Sequence, residues 1–89
     1  MLKFSIEEKL EKSLSKLWKK DHHRYDIIMK KIQEIITCVD VDHYKNLKAP
    51  LQHLKRAHVN TQFVLVFKYD QENDTVIFYD VDHHDNIYR

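Results

Sequence analysis

The hydrophobic pattern changes period midway along the chain. In the N-terminal half apolar residues recur at helical intervals; from about Gln52 they recur at every second position. Ile6, Leu10, Leu14, Leu17 and Trp18 form one stripe on a segment otherwise rich in Lys and Glu, which predicts an amphipathic helix from about Ile6 to Lys19. Ser5 and Glu8 have the spacing of a capping box at its start. The stripe misses a turn at Lys20-Asp21-His22-His23, where Asp21 can cap a second helix. Tyr25, Ile28, Met29, Ile32, Ile35 and Ile36 carry that helix to about Cys38. The stripes are nearly in phase, so one bent helix is an alternative. Two antiparallel helices are preferred, because two stripes on a short chain need a shared core. Met1 to Phe4 is too short to assign by pattern; an edge strand is one reading.

A loop through Pro50, the only proline, leads to the period-two region. There Leu54, Arg56 and His58 point one way and Lys55, Ala57 and Val59 the other. Gln62 to Tyr69 is apolar on both faces and reads as a central strand. Asp70 to Asp74 is a polar turn, with Asn73 suited to a left-handed conformation, and Thr75 to Asp80 is the last strand. The expected fold is therefore α+β: a helical hairpin packed on an antiparallel meander of three strands.

Composition narrows the function. The chain has 89 residues, the length of a single domain spanning 1–89, and a chain of that size buries about 60% of its unfolded surface. It has no apolar run long enough for a membrane span and no signal-peptide pattern. The lone cysteine, Cys38, argues for a reducing cytoplasm. Glycine is absent, which excludes the dinucleotide fingerprint and the P-loop. The net charge of +1 conceals an asymmetry: residues 1–60 carry thirteen Lys and Arg against eight Asp and Glu, and residues 61–89 carry two against six. No acid stands between Asp42 and Asp70, while that window holds Lys45, Lys48, Lys55, Arg56 and Lys68 with His43, His53 and His58. It is the expected site for a polyanion.

The element order and four stretches, Leu47-Lys-Ala-Pro-Leu51, Arg56-Ala-His-Val59, Phe63-Val-Leu-Val-Phe67 and Asp82-His-His-Asp-Asn-Ile-Tyr88, resemble the RelE/ParE superfamily of toxins from toxin–antitoxin pairs. The likeness covers nearly the whole chain and is closest to the RelE and YafQ-like mRNA interferases. It implies a small antiparallel sheet of three to four strands cradling two helices. It also implies endoribonucleolytic cleavage of mRNA, usually on the ribosome, and a cognate antitoxin that wraps and blocks the toxin in a hetero-oligomer. By position, His58 matches a catalytic histidine of the YafQ-like branch, His84 its C-terminal histidine and Tyr88 its C-terminal aromatic. Lys45 falls where that branch has another histidine, Gln62 where it has a catalytic aspartate, and Val64 near an arginine common in RelE proteins.

Metal-free cleavage through the adjacent 2′-OH needs a base, an acid for the leaving 5′-oxygen, and cations for the phosphorane charge, and it needs no cofactor. Histidine suits both proton roles because its ordinary pKa lies near neutrality. His58 and His84 are the expected acid–base pair, brought together if the last strand continues as far as His84, which would then share a face with Asp80 and Asp82. Arg56, Lys45, Lys48, Lys55 and Arg89 would neutralise phosphate, and Tyr88 would stack on a base or orient the phosphate. Plainer roles fit the rest: His22 and His23 as solvated residues, His43 and His53 as loop polar groups, His83 as surface, Trp18 as packing. Asp80, Asp82, His83, His84 and Asp85 are metal-ligand types, but strand alternation splits them across two faces, so no metal site is expected. A ParE-like gyrase inhibitor and an inactive binding module of the same fold are the other function classes.

Overall fold

The computed structural model describes residues 1–87. Its elements are β1 (Lys3–Ile6), α1 (Glu8–Lys20), α2 (His22–Ile36), a 3-10 turn (Val41–His43), β2 (Lys55–His58), β3 (Phe63–Asp70), β4 (Thr75–His83) and α3 (His84–Ile87). The strands form one sheet in the order β1-β4-β3-β2. The α+β class and the pairing of two helices with a small sheet agree with expectation. The sheet is mixed: β2-β3-β4 is the antiparallel meander, and β1 adds a parallel edge to β4.

That edge explains why the capping box does not form. Ser5 lies inside β1, opposite Ile77, and the Glu7 N–H donates to the Phe78 carbonyl at 2.9 Å. The residue before α1 is Glu7, whose extended backbone caps the helix without a side-chain bond. Strand pairing takes the backbone groups that a capping box needs free. Asp21 does what its sequence context suggests. Its N–H closes α1 on the Leu17 carbonyl at 2.8 Å, and its carboxylate accepts the Arg24 N–H at 3.1 Å to open α2. Its φ of −149° interrupts the helical path, so the chain makes two helices rather than one bent one. The Leu2 N–H bonds the Ile36 carbonyl at 2.8 Å, so the end of α2 lies beside the start of the chain.

The core fills the space between the helices and one sheet face: Leu10 and Leu14 from α1, Ile28, Ile32, Ile35 and Ile36 from α2, and Ala57, Leu65, Phe67, Val76 and Phe78 from the sheet. Val64 and Val66, on the opposite face of β3, are also buried but stand outside that core. β3 is thus the doubly buried central strand that its sequence predicts. β4 runs three residues beyond the expected Asp80, and its register shifts between Val66 and Phe67. Val66 pairs Asp80 and Phe67 pairs Phe78, leaving Tyr79 as the extra residue of a β-bulge. In the β3–β4 turn the left-handed residue is Asp74 (φ 51°), not Asn73. Asn73 instead donates its N–H and side-chain amide to Asp70, holding that carboxyl below its ordinary range.

The loop between the 3-10 turn and β2 is tied down by Lys55. Its side chain points away from Arg56 and His58, is 8% exposed, and donates to the Tyr44 carbonyl at 3.1 Å and to Asn46 Oδ1 at 3.2 Å, with Asp42 at 3.6 Å. This corrects the expectation that Lys55 meets phosphate: strand alternation turns it inward, and its ammonium is spent on the loop. Lys55→Met should cost about 2–3 kcal/mol in urea unfolding, because it strands two acceptors of a charged donor. Lys48→Met, at an exposed position, should stay within about 0.5 kcal/mol. Asp21→Ala should cost about 1 kcal/mol through the lost cap. On a domain of this size that lowers Tm by about 4–8 °C by calorimetry or circular dichroism.

Candidate functional site

Alternation along β2 sets Arg56 and His58 on the face of the sheet that the helices leave uncovered. Arg56 stands in register with Val66 and then Asp80; His58 stands in register with Val64 and then Asp82. The loop before β2 folds back beside this row. The Arg56 N–H donates to the Lys45 carbonyl at 3.0 Å, the Leu47 N–H to Leu54 at 2.8 Å, and the Asn46 side-chain amide to Gln52 at 2.7 Å. Between loop and strand lies a cleft of about 470 Å³ lined by Asn46, Leu47, Lys48, Ala49, Pro50, Leu51, Arg56, His58 and Ile87. Three expected site residues, Lys48, Arg56 and His58, therefore share one cavity. Among the described residues that line it there is no carboxylate, so the cleft presents positive charge to whatever enters. Lys45 is exposed in the same loop without lining the cleft.

The acids of β4 are occupied elsewhere. Lys9 reaches Asp80 at 3.0 Å, and Asp80 accepts the Val81 N–H at 2.9 Å. Asp82 accepts the His83 N–H at 2.7 Å and the Asn86 side-chain amide at 3.0 Å, which pins α3 to the end of the sheet. The Asn86 amide, then the His83 N–H, hold the Asp82 carboxyl below its ordinary range. The pinning is therefore complete above the ordinary carboxylate pKa and fades only as pH falls through the lowered value. α3 in turn delivers Ile87 to the cleft.

His84 is the first residue of α3, not a continuation of β4. Its N–H donates to the Gln62 carbonyl at 2.8 Å, and its Nδ1 lies 2.9 Å from Asp85 Oδ1. It stands past the end of the His58–Val64–Asp82 row and does not line the cleft. The expectation that strand alternation would aim His84 beside Asp82 fails, because the backbone turns helical at that residue. Gln62 is exposed and meets His84 through its backbone carbonyl. The expectations for Tyr88 and Arg89 lie outside the described residues.

The helical turn also gathers what alternation would have separated. His83, His84 and Asp85 each offer a ligand atom, all within 4.8 Å of one another. Elsewhere, His43 bonds the Asp40 carbonyl, His53 is exposed, and His22 pairs with Asp26 at 3.4 Å. Trp18 packs at the edge of the helix pair, outside the buried core. It is 55% exposed at the α1–α2 corner, with its ring edge-on to His22 and Tyr25. No helix among the described residues is long and apolar enough to cross a membrane.

No family model matches the sequence. A curated protein of Methanocaldococcus jannaschii, named "Putative toxin RelE4", is 48% identical over 89 residues, covering 100% of this chain and 93% of its own length. Among solved structures, a metal-bound toxin from Helicobacter pylori superposes with a TM-score of 0.76 at 21% identity, over 98% of this chain and 99% of that one. The intact E. coli RelBE toxin–antitoxin complex contributes a chain with a TM-score of 0.72 at 15% identity, covering 93% and 96%. The structural likenesses carry the fold; the full-length identity carries the kinship, and by it the chain belongs to the RelE family of toxins.

Proposed function

We propose that this chain is the toxin of a toxin–antitoxin pair and acts as an endoribonuclease on mRNA, with the ribosome presenting the substrate. The observation that carries the reading is the cleft in which Arg56 and His58 face a lysine-bearing loop with no carboxylate on its described walls. A nucleic-acid backbone entering there would meet Lys48 and Arg56 as counter-charges and His58 as a proton carrier. His84 supplies the second imidazole from the end of the sheet. Asp85 beside its Nδ1 fixes the tautomer that leaves a lone pair on Nε2, which suits the base that takes the 2′-OH proton. His58 then protonates the leaving 5′-oxygen, and Arg56 and Lys48 offset the charge of the phosphorane. The E. coli neighbour is seen in a toxin–antitoxin complex, and a cognate antitoxin is the protein partner proposed here.

Cleavage of mRNA by the purified chain, with and without ribosomes, tests the reading. His58→Ala and His84→Ala should each slow cleavage by about 10²–10⁴-fold, the usual contribution of a positioned acid or base. The products should carry 2′,3′-cyclic or 3′-phosphate ends opposite 5′-hydroxyls. Products with 3′-hydroxyl ends would rule the mechanism out. Cellular toxicity that survives the double substitution would point instead to a target other than RNA, such as gyrase.

A further inference from the structure

We propose that His83, His84 and Asp85 form a binding site for a divalent transition metal of the zinc class, and that filling it withdraws His84 from RNA cleavage. The second half of this proposal rests on the nuclease reading; the first half does not.

The site exists because β4 stops at His83 and the next residue begins a helical turn. Instead of facing opposite ways, the two imidazoles lie with ring centroids 4.7 Å apart and a tilt of 33°. The Asp85 carboxylate bridges them, Oδ2 lying 3.4 Å from His83 Nδ1 and Oδ1 lying 2.9 Å from His84 Nδ1. Tetrahedral zinc with bonds of about 2.0–2.1 Å holds its ligand atoms about 3.3 Å apart. The carboxylate thus stands at about that spacing from each imidazole, through one oxygen to each, and one ligand atom from each of the three residues lies within 4.8 Å of the others.

The backbone beneath the cluster is held in place. His83 is paired with Phe63 across the sheet, its ring 5.9 Å from the Phe63 ring, and the His84 N–H is fixed on Gln62. Binding need order only side chains. Coordination through His83 Nδ1 displaces the Asp85 N–H that now donates to it at 3.2 Å, and that amide belongs to an exposed residue open to water. Coordination takes the lone pair of His84 Nδ1, the nitrogen that lies beside Asp85. Arg24, which lies over the Phe63 ring, is paired with Asp21. Two imidazoles and one carboxylate select zinc, copper or nickel over magnesium or calcium.

Calorimetric titration of the untagged full chain with zinc chloride tests the site, with magnesium chloride as the contrast. Saturable 1:1 zinc binding, at least about tenfold weaker in both His83→Ala and Asp85→Ala, is the expected result, since even outer-shell partners are worth 10–100-fold. Absence of zinc binding, or binding unchanged in either folded variant, would overturn the proposal. Asp85 is largely exposed, so its variant keeps the test valid if His83→Ala does not fold. In the cleavage assay zinc should inhibit the parent chain and spare His83→Ala. A chain that binds zinc at these residues but cleaves no RNA would sink the nuclease reading and leave the metal site standing. Equal inhibition of parent and His83→Ala would sink the inhibitory role.

Discussion

The arrangement depends on β3 being apolar on both faces. One face, with Leu65 and Phe67, closes the core under the helices; the other, with Val64 and Val66, is equally buried outside that core. The register of β3 is fixed by its neighbour β2, whose faces differ: a one-residue slip would carry Arg56 and His58 toward the core and Ala57 out of it. That register places Arg56 and His58 on β2 and, two strands away, Asp80 and Asp82 on β4. The basic cleft and the pinned α3 are consequences of pairing with β3, not independent inventions of the loops.

The separation of charge follows from the same frame. Asp80 and Asp82 share rows with Arg56 and His58, yet each has its own partner on its own side, Lys9 for one and Asn86 for the other. Val64 and Val66 stand between the acids and the bases. The cleft can therefore stay electropositive in a chain whose net charge is only +1. Lys55 contributes by not entering it: by fastening Tyr44 and Asn46, its buried ammonium holds the wall on which Lys48 sits.

Much of this was legible in the sequence wherever one residue's chemistry decided the outcome. Asp21 between two stripes, the doubly apolar run at Phe63 to Phe67, and the alternation of Arg56 and His58 all read directly. What could not be read was decided by partners distant in sequence. Ser5 and Glu8 have capping-box spacing, but β4 claims the backbone of Ser5 and Glu7 for a parallel edge. Asn73 and Asp74 are comparable candidates for a left-handed position; Asp70 takes the amides of Asn73 and leaves Asp74 to turn. For Lys55 the alternation was visible, but the loop acceptors that claim its ammonium were not.

The C-terminal cluster shows how far one local change propagates. Period-two reading of Tyr79 to Asp85 fails twice, at the Tyr79 bulge and at the turn into α3. The bulge keeps Asp80 and Asp82 on the row of Arg56 and His58 after an odd insertion. The turn then takes His84 off that row and sets it against Asp85, with His83 beside it. The carboxylate that would orient His84 in the proposed proton transfer is thereby also the third member of the His83, His84 and Asp85 cluster. The two proposals, for proton transfer and for metal binding, rest on one structural cause, the His84 Nδ1 held beside a carboxylate. A residue placed for one cannot be entirely closed to the other, and whichever occupies His84 Nδ1, proton or metal, sets what its Nε2 can do.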